Sequence, residues 1–146
     1  MLEGRGLIFS DSAGARRTLA FGGGVPAAID AARQAYGDPE NVETLEECGA
    51  GPLQVSKFGG LTLAAQEGKF VGWWLDGHDK PPVPSTERGI GIGSTREALD
   101  AAYSIDEFET SLGNEFTTDG LAGLIEGEGK LGKVTHLWAG ATCITR

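Results

Sequence analysis

The residues from which chemistry could be built are two histidines, two cysteines, a glycine-rich run and a few serines. His78 stands beside Asp76 and Asp79, a set able to hold a metal ion weakly, although a solvated connector is the simpler use of so polar a stretch. His136 lies between Val134 and Trp138 in an alternating run, which suits a packed or partner-facing side chain better than a proton-transfer group. Gly89, Gly91 and Gly93 precede a helical stretch, and a phosphate could sit at that helix N-terminus. A dinucleotide site, however, needs such glycines after a buried parallel strand, with an acidic residue about 20 positions on. Here Pro84 and polar residues precede them, so the run reads as a turn followed by a cap. Ser94 and Ser104 have no base at a spacing that would activate either hydroxyl. The residues thus point to no catalytic, cofactor or metal site, and enzymatic activity is unsupported rather than excluded.

Cys48 and Cys143 are too distant and too isolated for a metal knuckle or a redox CxxC pair. They are either two buried thiols or one disulfide. A bridge closing a loop of roughly 100 residues would contribute up to about 4–5 kcal/mol in the chain-entropy model. It would also place the protein in an oxidising compartment. The expected location is secreted, periplasmic or at the cell envelope. Leu7–Phe9 is too short for the apolar core of a signal peptide, so either the protein is cytoplasmic or an export signal has been removed from this chain, and a disulfide would favour the second.

The formal net charge is −9, and the 12 basic residues are scattered. Recognition of a phosphate backbone needs clustered Lys and Arg, so neither nucleic acid nor an anionic membrane surface is an expected partner. No apolar run approaches the roughly 18–20 residues needed for a transmembrane helix. A basic protein surface or a cation remains open.

The elements that would position these residues follow from the patterning. Leu7–Phe9 and Arg17–Phe21 flank a turn-like Asp11–Gly14 and predict an N-terminal hairpin. Pro26 then suits a first helical turn, and Ala27–Tyr36 is an alanine-rich helix ended by Gly37-Asp38-Pro39. Glu40, Glu43, Glu46 and Glu47 read as a solvated loop or a fraying helix. Leu53–Phe58, Leu61–Gln66 and Phe70–Leu75, separated by glycine turns, predict an antiparallel meander. Pro81, Pro82 and Pro84 make His78–Arg88 an extended connector.

After it the order recurs. Ser94 and Glu97 stand at capping-box spacing, so a helix should begin at Ser94. Strands follow around Asn114–Thr118, Gly120–Glu126 and Lys133–Ala139. Ala28–Ala32 matches Ala98–Ala102, and Gly68–Val71 matches Gly132–Thr135, which suggests an internal repeat. The expected fold is α+β: two tandem units, each a short helix packed on a small antiparallel sheet. Residues 1–77 would form the first unit, 78–88 the linker and 89–146 the second.

Strict alternation puts Val71, Trp73 and Leu75 on one sheet face, with Phe70, Gly72 and Trp74 on the other. One face covers the helix. The other would carry large aromatics, buried against the second unit or exposed to a partner. Phe70, Trp74, His136 and Trp138 are the candidate partner surface.

Gly91-Ile92-Gly93-Ser94-Thr95 with Glu97, Leu99, Ala101, Ala102 and Tyr103 resembles a motif of uncharacterised bacterial secreted or envelope proteins. The stretches Glu47–Leu53, Leu112–Phe116 and Trp138–Cys143 resemble further parts of the same proteins. The helix-then-sheet order is more distantly similar to the beta-lactamase inhibitory protein and to the small lipoproteins of the outer-membrane assembly machinery. That resemblance implies an exported protein whose sheet is a binding surface. The chain departs from the inhibitor pattern in having one cysteine per half rather than pairs within each repeat. Three readings follow: a non-enzymatic protein-binding or inhibitor-like module, an envelope-associated structural lipoprotein, and a small hydrolase or ligand-binding protein with a site between the units.

Overall fold

Alternating apolar residues and two-residue glycine turns produce the expected meander, but in a larger sheet than the pattern suggested. The structure is a computed structural model, and it describes residues 1–10, 13–76 and 84–143. Strands β1 (Leu2–Glu3), β2 (Gly6–Ser10) and β3 (Arg16–Ala20) form a small antiparallel sheet. Helix α1 (Val25–Tyr36) leads into β4 (Asn41–Leu45), β5 (Leu53–Phe58), β6 (Leu61–Gln66) and β7 (Lys69–Leu75). Helix α2 (Arg96–Ala102) leads into β8 (Asp106–Thr110), β9 (Gly113–Thr118), β10 (Leu121–Glu126), a single 3-10 turn (Gly129–Leu131) and β11 (Lys133–Gly140).

The expectation of two tandem helix-on-sheet units is overturned. Strands β4 to β11 make one antiparallel sheet in the order β4-β5-β6-β7-β11-β10-β9-β8, and the N-terminal strands form a second sheet of their own. The junction is β7 against β11, with Trp74 opposite Trp138 and Trp73 opposite Ala139. The physical reason lies in the edges. β7 and β11 carry the three tryptophans, and an open edge on either would expose unpaired backbone groups beside these large side chains. Pairing them leaves the charged, solvent-exposed β4 and β8 on the outside.

The proposed boundary at 78–88 falls largely outside the described residues. Its described end is not free: the Leu2 N–H donates to the Ser85 carbonyl (2.9 Å), and Leu2 bridges to Thr86. Ile90 joins the same buried core as the N-terminal strands and both helices.

That core fills the space between the large sheet and a layer made of α1, the small sheet and α2. Trp73 is completely buried in it, and its indole N–H donates to the carbonyls of Glu3 and Gly6, both at 3.0 Å. A buried indole needs such a partner. Here the partners are backbone groups of the small sheet, so Trp73 docks that sheet onto β7. Ala28, Ala31 and Ala32 give α1 a thin buried face, while Leu99 is the buried residue of α2.

Both helices begin on the same hydrogen-bond frame. Before α1, the Gly22 N–H donates to Phe70 (2.8 Å), Phe70 to Gly23 (2.9 Å) and Val25 to Gly68 (2.9 Å). Before α2, Gly93 donates to Val134 (2.8 Å), Val134 to Ser94 (2.8 Å) and Arg96 to Gly132 (2.7 Å). The caps differ. Gly24 has no side chain to cap α1, whereas the Thr95 hydroxyl accepts from the Ala98 N–H at 3.1 Å. Ser94, the expected cap, instead accepts from the Gly91 N–H at 3.0 Å, so the helix starts one residue later than its spacing suggested.

A bulge corrects the face assignment on β7. Ala65 pairs with Phe70 but Ala64 with Gly72, leaving Val71 as an extra residue. On β11 Thr135 is extra in the same way, between the pairs Ile125–Val134 and Leu124–His136. An extra residue reverses the alternation beyond it. Phe70 therefore shares the helix-covered face with Trp73 and Leu75, and Val71 shares the opposite face with Trp74.

Candidate functional site

The face of the large sheet turned away from the helices carries three of the four residues expected to bind a partner. Across it one row runs Lys57, Thr62, Trp74, Trp138, Ala122 and Thr117, each the register neighbour of the next. A parallel row runs His136, Leu124, Glu115 and Phe108. Trp74 and His136 are half-buried, Leu124 likewise, and Phe108 is exposed at 41 %. Trp138 is buried at 7 % exposure, so it supports the surface more than it contributes to it. Phe70 is fully buried on the other face against Phe21, with ring centroids 5.1 Å apart, and leaves the candidate set.

Phe108 and Leu124 are additions that the sequence reading missed. Phe108 sits among acidic residues in a strand that was not recognised, and Leu124 alternates with Gly123 and Ile125 in one that was. His136 Nδ1 lies 3.0 Å from the Thr135 hydroxyl, which engages that ring nitrogen beside the bulge. Glu115 is almost fully buried in the same row, the position where a register neighbour of Phe108 would be expected to be apolar.

One flank of this face is fixed covalently. Cys48, in the loop after β4, is bonded to Cys143, beyond β11, at a sequence separation of 95. Around the bridge pack Leu53, Val55 and Ala64, with Leu45, Val71 and Trp74 at the margin. Trp74 therefore stands at the border between a stapled apolar patch and a half-open one. Gly72 is required here: a Cβ at this position would lie 1.8 Å from the Ala141 carbonyl oxygen, so the chain beyond β11 could not cross close to β7.

The glycine run before α2 has its amides engaged. Gly89 donates to the Thr86 carbonyl (2.9 Å), Ile90 to the Thr86 hydroxyl (3.1 Å), and Gly91 and Gly93 to Ser94 and Val134. No N–H of this run named here points at an empty position, which fits the turn-and-cap reading. His78 and Asp79 lie outside the described residues. Among the described residues no group of three His, Cys, Asp or Glu side chains is placed to hold a metal ion, and no helix is long and apolar enough to cross a membrane.

Among the described residues, the helix-covered face has a cleft at each end of the sheet. The first, of about 370 Å³, lies between α1 and β4–β5 and is lined by Val25, Ile29, Val42, Thr44, Gln54, Ser56, Leu63 and Ala65, with Glu43 at its rim. The second, of about 690 Å³, lies between α2 and β8–β9, lined by Arg96, Glu107, Glu109, Asn114, Ile125, Glu126 and Glu128. Arg96 is ion-paired with Glu107 and also donates to the Gly129 carbonyl at 3.1 Å. Comparison with protein-family models, curated proteins and solved structures finds no match to this chain.

Proposed function

We propose that this is an exported, non-enzymatic protein-binding module that meets its partner with the helix-free face of the large sheet. The observation that supports it best is the set of half-open or exposed aromatic and apolar side chains on two adjacent rows of one face, Trp74 in one and His136, Leu124 and Phe108 in the other, on a sheet whose opposite face packs against the core. Exposed aromatic side chains on a rigid support are the usual anchors of protein contacts. The support is rigid here because strand pairing continues unbroken from β4 to β8 and the disulfide ties one flank to the sheet centre. An oxidising environment is the setting in which such a bridge persists.

The test is a co-purification from the source cell with tagged wild-type protein and a Trp74→Ser, Phe108→Ser variant. A partner retained by the wild type and reduced about tenfold or more by the variant supports the reading. A partner held equally by both, or one lost only when the opposite face is altered, removes it. Export is tested separately by mass spectrometry of the native protein without reductant, where two alkylatable thiols would count against it.

A further inference from the structure

We propose that strand β4 and the first cleft form a second docking site, for an extended peptide that alternates apolar and basic residues and adds to the sheet as a further strand. The site is independent of the Trp74 surface, because Val42 and Trp74 lie on opposite faces of the sheet.

β4 is an edge strand, and among the described residues it pairs only with β5. Its five residues are in regular register from Asn41–Lys57 to Leu45–Leu53, without a bulge. Edge strands are normally blunted by a bulge, a proline or a charge turned inward. β4 has none of these on its inner side, where Val42 and Thr44 face the cleft. Val42 is 64 % exposed at the mouth of this groove. Behind it Val25, Ile29, Leu63 and Ala65 offer apolar contact to a side chain entering from an added strand.

Charge selects the occupant. From residue 34 to residue 56 the chain has no lysine or arginine but carries Asp38, Glu40, Glu43, Glu46 and Glu47. Asp38 is ion-paired with Arg33 at 3.6 Å, and the first cation after this stretch is Lys57, the register partner of Asn41 at the start of β4. A second copy of the chain is disfavoured. Antiparallel pairing of β4 with itself centred on Glu43 sets that carboxylate against its own copy, and pairing with β8 sets it against a strand containing Asp106, Glu107 and Glu109. Like charges placed opposite each other destabilise a strand pair. A basic strand meets the reverse situation. Side chains on its inner side would enter the cleft, while those on its outer side would face Glu43, so apolar and basic residues should alternate.

The probe is a capped peptide of about six residues alternating valine and lysine, a typical strand length. Binding is followed through the backbone amide resonances of the full-length oxidised protein. The expected result is shifts confined to Asn41–Leu45 and the cleft residues, with affinity falling as salt rises. Replacing lysine by glutamate, or valine by serine, in the peptide should weaken binding about tenfold or more. The same loss is expected for Val25→Arg with Val42→Glu, which copies the second cleft into the first, and for Val42→Glu alone. Val42 is exposed, so the single variant should keep the wild-type spectrum and unfolding midpoint. Absence of binding, shifts centred on β8 or on the Trp74 face, or equal affinity for any control peptide or variant would overturn the proposal.

Discussion

The two clefts occupy corresponding places, each between a helix N-terminus and an edge strand, yet they are chemically opposite. Where the first has Val25 and Val42, the second has Arg96 and Glu107; where the first has Thr44 and Gln54, the second has Glu109 and Asn114. The second is bridged by its own ion pair and ringed by carboxylates, so its cleft is occupied by its own side chains and repels another acidic strand. The first is unbridged and apolar. The same backbone frame can thus be closed or left open by four side chains, and the open version sits beside the disulfide.

The contrast is most exposed to failure at the bridge. Replacing Cys48 and Cys143 by serine should cost up to about 4–5 kcal/mol of stability in urea unfolding. Amide hydrogen exchange should accelerate much more over Asn41–Leu45 than over Asp106–Thr110, since only β4 runs into the bridged loop. Equal acceleration of both edges would show that the tether does not distinguish them. Next in size is the cap. Thr95→Ala should cost about 1 kcal/mol, because α2 loses the side chain that accepts the Ala98 N–H. A double-mutant cycle on Arg96 and Glu107 should give a coupling of about 0.5–1 kcal/mol that shrinks with salt, as expected for a partly exposed pair. A coupling of zero would mean that the second cleft is closed by shape alone. The smallest effect is expected at the other helix, where Gly24→Ser should stabilise α1 by a few tenths of a kcal/mol by supplying the missing cap. Its Cβ would meet nothing nearer than the Pro26 ring at 3.8 Å.

How much of this could be seen in the sequence depended on burial. The buried strands β5, β6, β7, β9, β10 and β11 and the two helices were legible because alternation or helical spacing reports contact with a core. β4 and β8 were not. Glu40–Glu47 suggested a solvated loop or a fraying helix, and Asp106–Thr110 gave no signal, because edge strands with four exposed residues of five have little apolar period to show. Missing the edges hid the clefts they form, while the union of the two runs was hidden because strand patterning does not say which strands pair across the β7–β11 junction. Phe70 was misplaced for a different reason: the bulge at Val71 shifts the alternation, and bulges carry no reliable residue signature unless a glycine takes the left-handed position. The cysteine pairing, by contrast, was one of two open readings, and the structure bonds Cys48 to Cys143.

That bond also divides the chain mechanically. Tension applied from outside residues 48 and 143 would pass through the sulfurs, and the 95-residue span they enclose would stay slack. In the oxidised protein only the small N-terminal sheet, α1 and β4 could be drawn out, to roughly 3.4 Å per residue. The β7–β11 seam and the Trp74 surface would remain folded under a pull that strips their neighbours. After reduction the same pull would reach the seam.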